Sequence, residues 1–190
     1  MWFMIPELSG GDGVVFANPG FNIIATANTR DRGVNDMSAA LKRRFNIVVL
    51  PAPADVETEV GIVTKRVGEL ASNLQLKAEI PNEDAITKVV TIFRELRAGQ
   101  TLDGKNKVKT PSGVLSTAEA ISLLANSMAL SGNFGDGAIS DNDLASGLQG
   151  AVIKDDEKDL IVWKDYLSNV MKKRGASWRG LYSACQAHVE

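Results

Sequence analysis

The sequence contains one cysteine, Cys185, and one histidine, His188. A single thiol excludes an internal disulfide framework, and a single imidazole leaves few ligands for a zinc site. Both fall in a C-terminal stretch with helical spacing, where packing is the plainer role. No apolar run approaches the roughly 18–20 residues that a membrane-spanning helix needs. No basic segment precedes an apolar one at the N-terminus, which argues against a secretory signal and leaves the cytoplasm as the expected compartment. Charge of one sign is also lacking. The 21 Lys and Arg residues against 23 Asp and Glu give a net charge of -2 over 190 residues. That balance argues against a nucleic-acid surface spread over the whole chain and leaves room only for a local basic patch. What is present is ordinary for a globular protein. Hydrophobic residues make up 44% and charged residues 23%, which excludes a wholly disordered chain, and the length suits one to two domains with a real core.

Two textures follow one another. Residues 1–51 read as mixed β and α. Ile5–Leu8 and Val14–Ala17 are strand candidates joined by the turn-forming Ser9-Gly10-Gly11-Asp12-Gly13, so a hairpin is expected. Asn18-Pro19-Gly20 is a second turn. Phe21 to Ala27 is nearly all apolar with β-branched residues at its centre, the pattern of a strand covered on both faces in a parallel sheet. A polar loop from Asn28 to Asn35 leads to a short helix, roughly Asp36 to Arg43, with Met37 and Leu41 on one face. Phe45 to Leu50 is another apolar strand candidate, stopped by Pro51-Ala52-Pro53. Strand, helix, strand at this spacing predicts a parallel βαβ unit. Two strands and a hairpin do not complete a doubly wound sheet, so this part reads as the end of a larger domain.

Residues 55–190 read as helices. After Asp55, Val56, Val60, Val63, Val67, Leu70 and Leu74 keep one helical stripe; Ile86, Val89, Val90, Phe93 and Leu96 keep a second, ending near Gly99. Residues 99–113 form a polar, locally basic loop. Ser116-Thr117-Ala118-Glu119 is a capping box that opens a third helix, and Ser140 with Asp143 caps a fourth. Leu160, Trp163, Leu167 and Met171 predict a fifth helix, and Trp178, Leu181 and Cys185 a sixth.

The segment from Phe21 to Leu50 bears the candidate functional residues. Asn28 follows directly on an apolar strand candidate, and ligands gather beyond the carboxyl ends of strands in open parallel sheets. An amide there can orient a water or touch a phosphate oxygen; the alternative is an Asx turn that merely starts the loop. Arg43 and Arg44 close the short helix, where cations suit the negative end of the helix dipole. Either could instead project to a phosphate on a neighbouring molecule, because the planar guanidinium fork matches phosphoryl oxygens. Spacing does not choose between the two. Arg30-Asp31-Arg32 reads as a self-paired, solvated loop.

Ala25-Thr26-Ala27-Asn28 at the end of a strand, followed after a loop by Ala39-Ala40-Leu41-Lys42-Arg43-Arg44-Phe45 at the end of a helix, resembles AAA+ ATPases of the MoxR and McrB-like group. The stretch from Ile5 to Gly20 resembles the hairpin that these proteins place before that strand, and the helices after Pro51 resemble their lid. The resemblance implies an α/β plus all-α chain: residues 1–54 as the trailing part of a parallel-sheet nucleotide-binding core, 55–150 as the helical lid and 151–190 as a helical extension. It implies that Asn28 is sensor 1, which helps position the attacking water. It implies that Arg44, with Arg43 as its neighbouring candidate, is the arginine finger acting on nucleotide held by the adjacent subunit. ATP and Mg2+ are the implied ligands of the complete protein. A homo-oligomeric, commonly hexameric ring is the implied assembly, with a remodelled protein client, often alongside a von Willebrand A domain protein.

The sequence departs from this pattern in two places. No G-x-x-x-x-G-K-[ST] is present, and no acidic Walker B strand precedes the hairpin; Glu7 is no substitute. Where the family's lid often carries a sensor 2 arginine, this chain reads Ser116-Thr117-Ala118, and the nearby Lys105, Lys107 and Lys109 read as a solvated loop. The chain therefore reads as the C-terminal portion of a MoxR-like AAA+ ATPase that turns over no ATP by itself. Two other classes remain open: a non-hydrolysing adaptor that acts on intact subunits, and a McrB-like nucleic-acid-associated part supported only by the three lysines.

Overall fold

The computed structural model describes residues 2–4, 14–16, 18–26 and 38–189. The chain divides into two compact units, Met1–Phe45 and Asn46–Glu190. In the first, β1 (Trp2–Met4) pairs antiparallel with β2 (Val14–Phe16), Trp2 opposite Phe16 and Met4 opposite Val14. The expected hairpin is thus present in outline, but its first strand lies nearer the N-terminus; Ile5–Leu8 and the glycine-rich turn fall outside the described residues. Asn18-Pro19-Gly20 makes the expected turn. The Phe21 amide donates to the Asn18 carbonyl at 3.1 Å, and Gly20 takes φ +83°. Proline followed by a left-handed glycine is the type II arrangement.

The two apolar segments expected as parallel strands depart from the reading. Residues 21–26 and 46–50 form no strand, and among the described residues the sheet consists of β1 and β2 alone. A strand exists through its ladder partners, and none of the described residues pairs with either segment. Their side chains are correspondingly uncovered: Ile24 is 93% exposed and Leu50 85%. Among the described residues the βαβ unit is therefore not formed. Its helix is shorter than expected, α1 (Ala39–Lys42), with Asp36 and Met37 outside the described residues.

The second unit is helical, and the local signals hold. Asp55 caps α2 (Val56–Asn73), its side chain accepting from the Thr58 amide. Asn82 caps α3 (Glu83–Ala98), which ends at Gly99 with φ +70°, a left-handed C-terminal position that favours glycine. Ser116 and Glu119 form both halves of the capping box of α4 (Thr117–Phe134), and Ser140 with Asp143 does the same for α5 (Asp141–Val152). α4 ends at Phe134 with Gly135 as its cap, and Gly132 stands in its last turn. It lies where a Cβ would meet the Lys77 carbonyl oxygen at 2.6 Å, so the glycine admits the loop after α2 against the helix. α6 (Asp156–Asn169) is followed by 3₁₀ turns at Met171–Lys173 and Ala176–Trp178 and by α7 (Arg179–Ala187).

One continuous core runs through all six helices, from Val63 and Val67 through Phe93 and Leu124 to Leu148, Trp163 and Leu181. α3 packs against α2 and α4, α5 against α4 and α7, and α6 against α7. Trp163 stacks on Tyr166 with ring centroids 5.8 Å apart. Cys185 is buried as expected, and burial, with the nearby Asp141 charge, pushes its thiol up to about 12. No helix among the described residues is long and apolar enough to cross a membrane.

Candidate functional site

Of the residues expected to carry chemistry, Arg43 and Arg44 directly follow α1. Two backbone bonds close this single turn, Lys42 N–H to Ser38 O at 3.0 Å and Arg43 N–H to Ala39 O at 3.2 Å. Arg43 and Arg44 occupy the turn that follows, and both are exposed while Phe45 is half-buried. Neither arginine has an ion pair or a side-chain hydrogen bond among the described residues. Their charges stand at the carboxyl end of the helical turn, as the dipole favours, and their guanidinium faces remain accessible to an anion. Asn28 and the Arg30-Asp31-Arg32 loop lie outside the described residues.

The lysines of the 99–113 loop are also exposed, but the loop itself is ordered by local chemistry. Gln100 bridges Lys107, the Asn106 carbonyl accepts from Thr101 N–H at 2.9 Å, and Asp103 accepts from the Thr101 hydroxyl and the Lys105 amide. Lys105 reaches back to Asp103 at 3.8 Å, the self-pairing of a solvated turn. At the N-terminus of α4, Ser116 is consumed by its cap, and the Thr117 hydroxyl donates to Glu59 at 2.7 Å.

Three buried polar clusters in the helical unit went unread in the sequence. Glu59 of α2, fully buried, accepts from Arg94 Nη1 at 2.8 Å, from Arg97 Nη2 at 2.9 Å and from Thr117. Burial pushes this carboxyl up, yet hydrogen bonds from Arg97, Thr117 and Arg94 outweigh it and hold the group below the ordinary glutamate value. Glu95 accepts from the Tyr166 hydroxyl, from Arg174 and from the Leu102 amide, while Arg174 lies 4.2 Å over the Trp178 ring. Burial first, then the Glu95 charge, raises the Tyr166 phenol well above its usual value. Asp159 accepts from the Ser112 amide and hydroxyl and from the Lys154 and Asp155 amides. Against the effect of burial, these bonds bring Asp159 down to about 2.

One signal for the first cluster was present. Arg97 follows Ile86 by three helical turns, so it projects on the apolar face of α3, where an arginine demands a partner. The second cluster joins residues 71 and 79 positions apart, and nothing local announces it. The carboxylates of all three clusters pair with protein donors and hold helices and loops together, while among the described residues Arg174 Nε is buried without a hydrogen-bond partner.

Comparison with known proteins places this geometry. Residues 57–188 match the family described as YehL-like AAA+ ATPase C-terminal domain, and residues 5–45 match the AAA domain of the dynein-related subfamily. The second match spans α1 and both arginines as far as Phe45. The uncharacterized protein YehL of Escherichia coli (strain K12) is 36% identical over 185 residues, covering 94% of this chain and 49% of that protein. The chain thus spans about half the length of the curated relative it matches. No solved structure matches it significantly. The match over residues 57–188, with the AAA-type segment before it, makes the chain a member of the YehL-like AAA+ ATPase family.

Proposed function

We propose that the chain supplies the trailing edge of a MoxR-like nucleotide-binding core, residues 1–54, together with its lid, residues 55–150 extended by 151–190. In the complete protein this part serves ATP hydrolysis coupled to remodelling of a protein client. Arg44, with Arg43 beside it, acts as the arginine finger toward nucleotide on an adjacent subunit, and Asn28 as sensor 1. The observation that carries this reading is the Arg43-Arg44 turn, exposed and without an ion pair among the described residues, within a segment that matches an AAA domain.

The division of labour follows from what the residues can do. A guanidinium projecting from a rigid turn can donate two parallel hydrogen bonds to a phosphoryl group and offset the charge that develops as the terminal phosphoryl is transferred. Because its own subunit's nucleotide pocket is a separate feature, a finger of this kind requires a neighbour, and a head-to-tail ring provides one at every interface. The described residues hold no group of three or more His, Cys, Asp or Glu that could bind a metal ion, and the sequence holds no phosphate-cradling lysine loop. Mg2+, which would neutralise phosphate charge, and most phosphate contacts are therefore assigned to other parts of the complete protein. A von Willebrand A domain protein is the partner that this reading favours.

In the complete protein, Arg44→Ala should lower kcat for ATP by on the order of 10³-fold or more, with nucleotide affinity nearly unchanged. Steady-state turnover and an equilibrium nucleotide titration measure both. A kcat equal to the parent's removes the finger from Arg44.

A further inference from the structure

We infer that Arg94 is a latch that fastens the chain leading into the helical unit onto that unit, so that its rigid part begins at Pro53 and the joint before it is confined to the preceding residues. Arg94 Nη1 donates to the Pro53 and Asp55 carbonyls, each at 3.1 Å, and to Glu59 Oε2 at 2.8 Å; Nη2 donates to the Ala54 carbonyl at 2.9 Å. One guanidinium thus gathers three successive main-chain carbonyls and a buried carboxylate. Only a planar, multi-donor fork can do this; an ammonium on a flexible stem presents its donors from a single point. The latched residues are stiff in their own right. Pro53 has a restricted φ, and Asp55 is held by its cap on the Thr58 amide at 2.7 Å. Arg94 side-chain exposure is 17%; its bonds to Glu59 and to the Pro53 carbonyl are partly buried and so partly shielded from water competition, while those to Ala54 and Asp55 lie at the surface.

Arg97 supplies the comparison. It shares Glu59 and has the same 17% exposure, but its other bond goes to Leu115 O at the start of α4, not to the entering chain. Both arginines brace α2 against α3, and Arg94 alone reaches residues 53–55. Upstream, residues 46–50 are exposed, lie outside any helix or strand and have no ladder partner among the described residues. If the proposed function is right and a core sheet takes up 46–50 in the complete protein, Pro51 and Ala52 remain as the joint. A tilt of the helical unit would then pass along the main chain toward the Arg43-Arg44 turn with little slack. The latch itself does not depend on that reading.

The test uses this chain and no nucleotide. Endoproteinase Asp-N cuts before aspartate, and the Ala54–Asp55 bond lies within the latched stretch. Cutting there is compared with cutting at Asn142–Asp143 in α5, an internal gauge of opening of the helical unit as a whole. Arg94→Gln should raise the ratio of the two cleavage rates about tenfold over the parent, the scale of one lost charged hydrogen bond, while Arg97→Gln leaves the ratio within about twofold. Equal ratios in the two variants would overturn the latch. Should Arg94→Gln not fold, Arg94→Lys keeps the charge beside Glu59 but cannot span the three carbonyls; the same rise is expected, and a parental ratio counts against the proposal. An unchanged ratio would refute the latch even if Arg44 proves to be a finger, and a raised ratio stands even if it does not.

Discussion

At the scale of single residues, the helical unit depends on carboxylates that water would normally solvate. Asp159 is almost fully buried and accepts four hydrogen bonds, which tie the loop after α3 to the start of α6. Its folded pKa, about 2, is below the ordinary 3.8. A depressed carboxylate contributes stability that is fully present above the unfolded value and is lost as pH falls through the folded one, here between about 4 and 2. The difference corresponds to about 2 kcal/mol. Asp159→Asn should therefore lower stability by about that amount at pH 7, because the amide nitrogen presents hydrogens where the amides of Ser112, Lys154 and Asp155 already do. Urea unfolding at a series of pH values measures it: the gap between variant and parent narrows toward pH 3, and equal midpoints at pH 7 would contradict the account. Glu59 works with the same sign, since its carboxyl is also lowered. The exposed Arg66–Glu69 pair, at 2.6 Å, contributes at most about 0.5 kcal/mol by comparison.

At the scale of elements, caps and stripes made most helices legible. Asp55, Asn82, Ser116 and Ser140 each accept from the amide three residues on; Asp55, Ser116 and Ser140 are legible in the sequence as helix starts, whereas Asn82 is not among the signals read there. The cap at α4 is a direct test: Ser116→Ala should cost about 1 kcal/mol, seen as a lower urea midpoint at an unchanged m value; an unchanged midpoint would mean that the N-terminus of α4 is held by Thr117 and Glu59 instead. α3 shows where local reading stopped. Its stripe from Ile86 to Leu96 predicts one buried face, yet Lys88, Thr91 and Glu95 are buried too, because neighbours far along the chain enclose the helix. Lys88 manages this by pairing with Asp84 at 2.6 Å, and Glu95 by pairing with Arg174. Burial of that kind follows from tertiary arrangement and leaves no local period. The strands expected at 21–27 and 45–50 had the right composition, but composition cannot supply a ladder partner. Of the candidate site, the Arg43-Arg44 turn was legible as the end of a short helix, because Phe45 and the apolar run after it mark the stop.

At the scale of the whole molecule, the two matched families divide the chain much as its two units do, with the AAA-type match ending at Phe45 and the C-terminal-domain match beginning at residue 57. The apolar segment between, Ile47 to Leu50, is exposed, as expected of chain that a larger assembly would cover. The central claim is that Arg44 acts across a subunit boundary, and mixing measures this most directly. One partner is the complete protein carrying Arg44→Ala, with an intact nucleotide pocket. The other has an intact Arg44 and a nucleotide pocket disabled by substitution in the rest of the complete protein. Each alone should be inactive. Mixed in equal amounts, they should recover turnover on the order of a quarter of the parent's, since about one interface in four joins a working pocket to a working finger. A mixture as inactive as its two components would contradict the account.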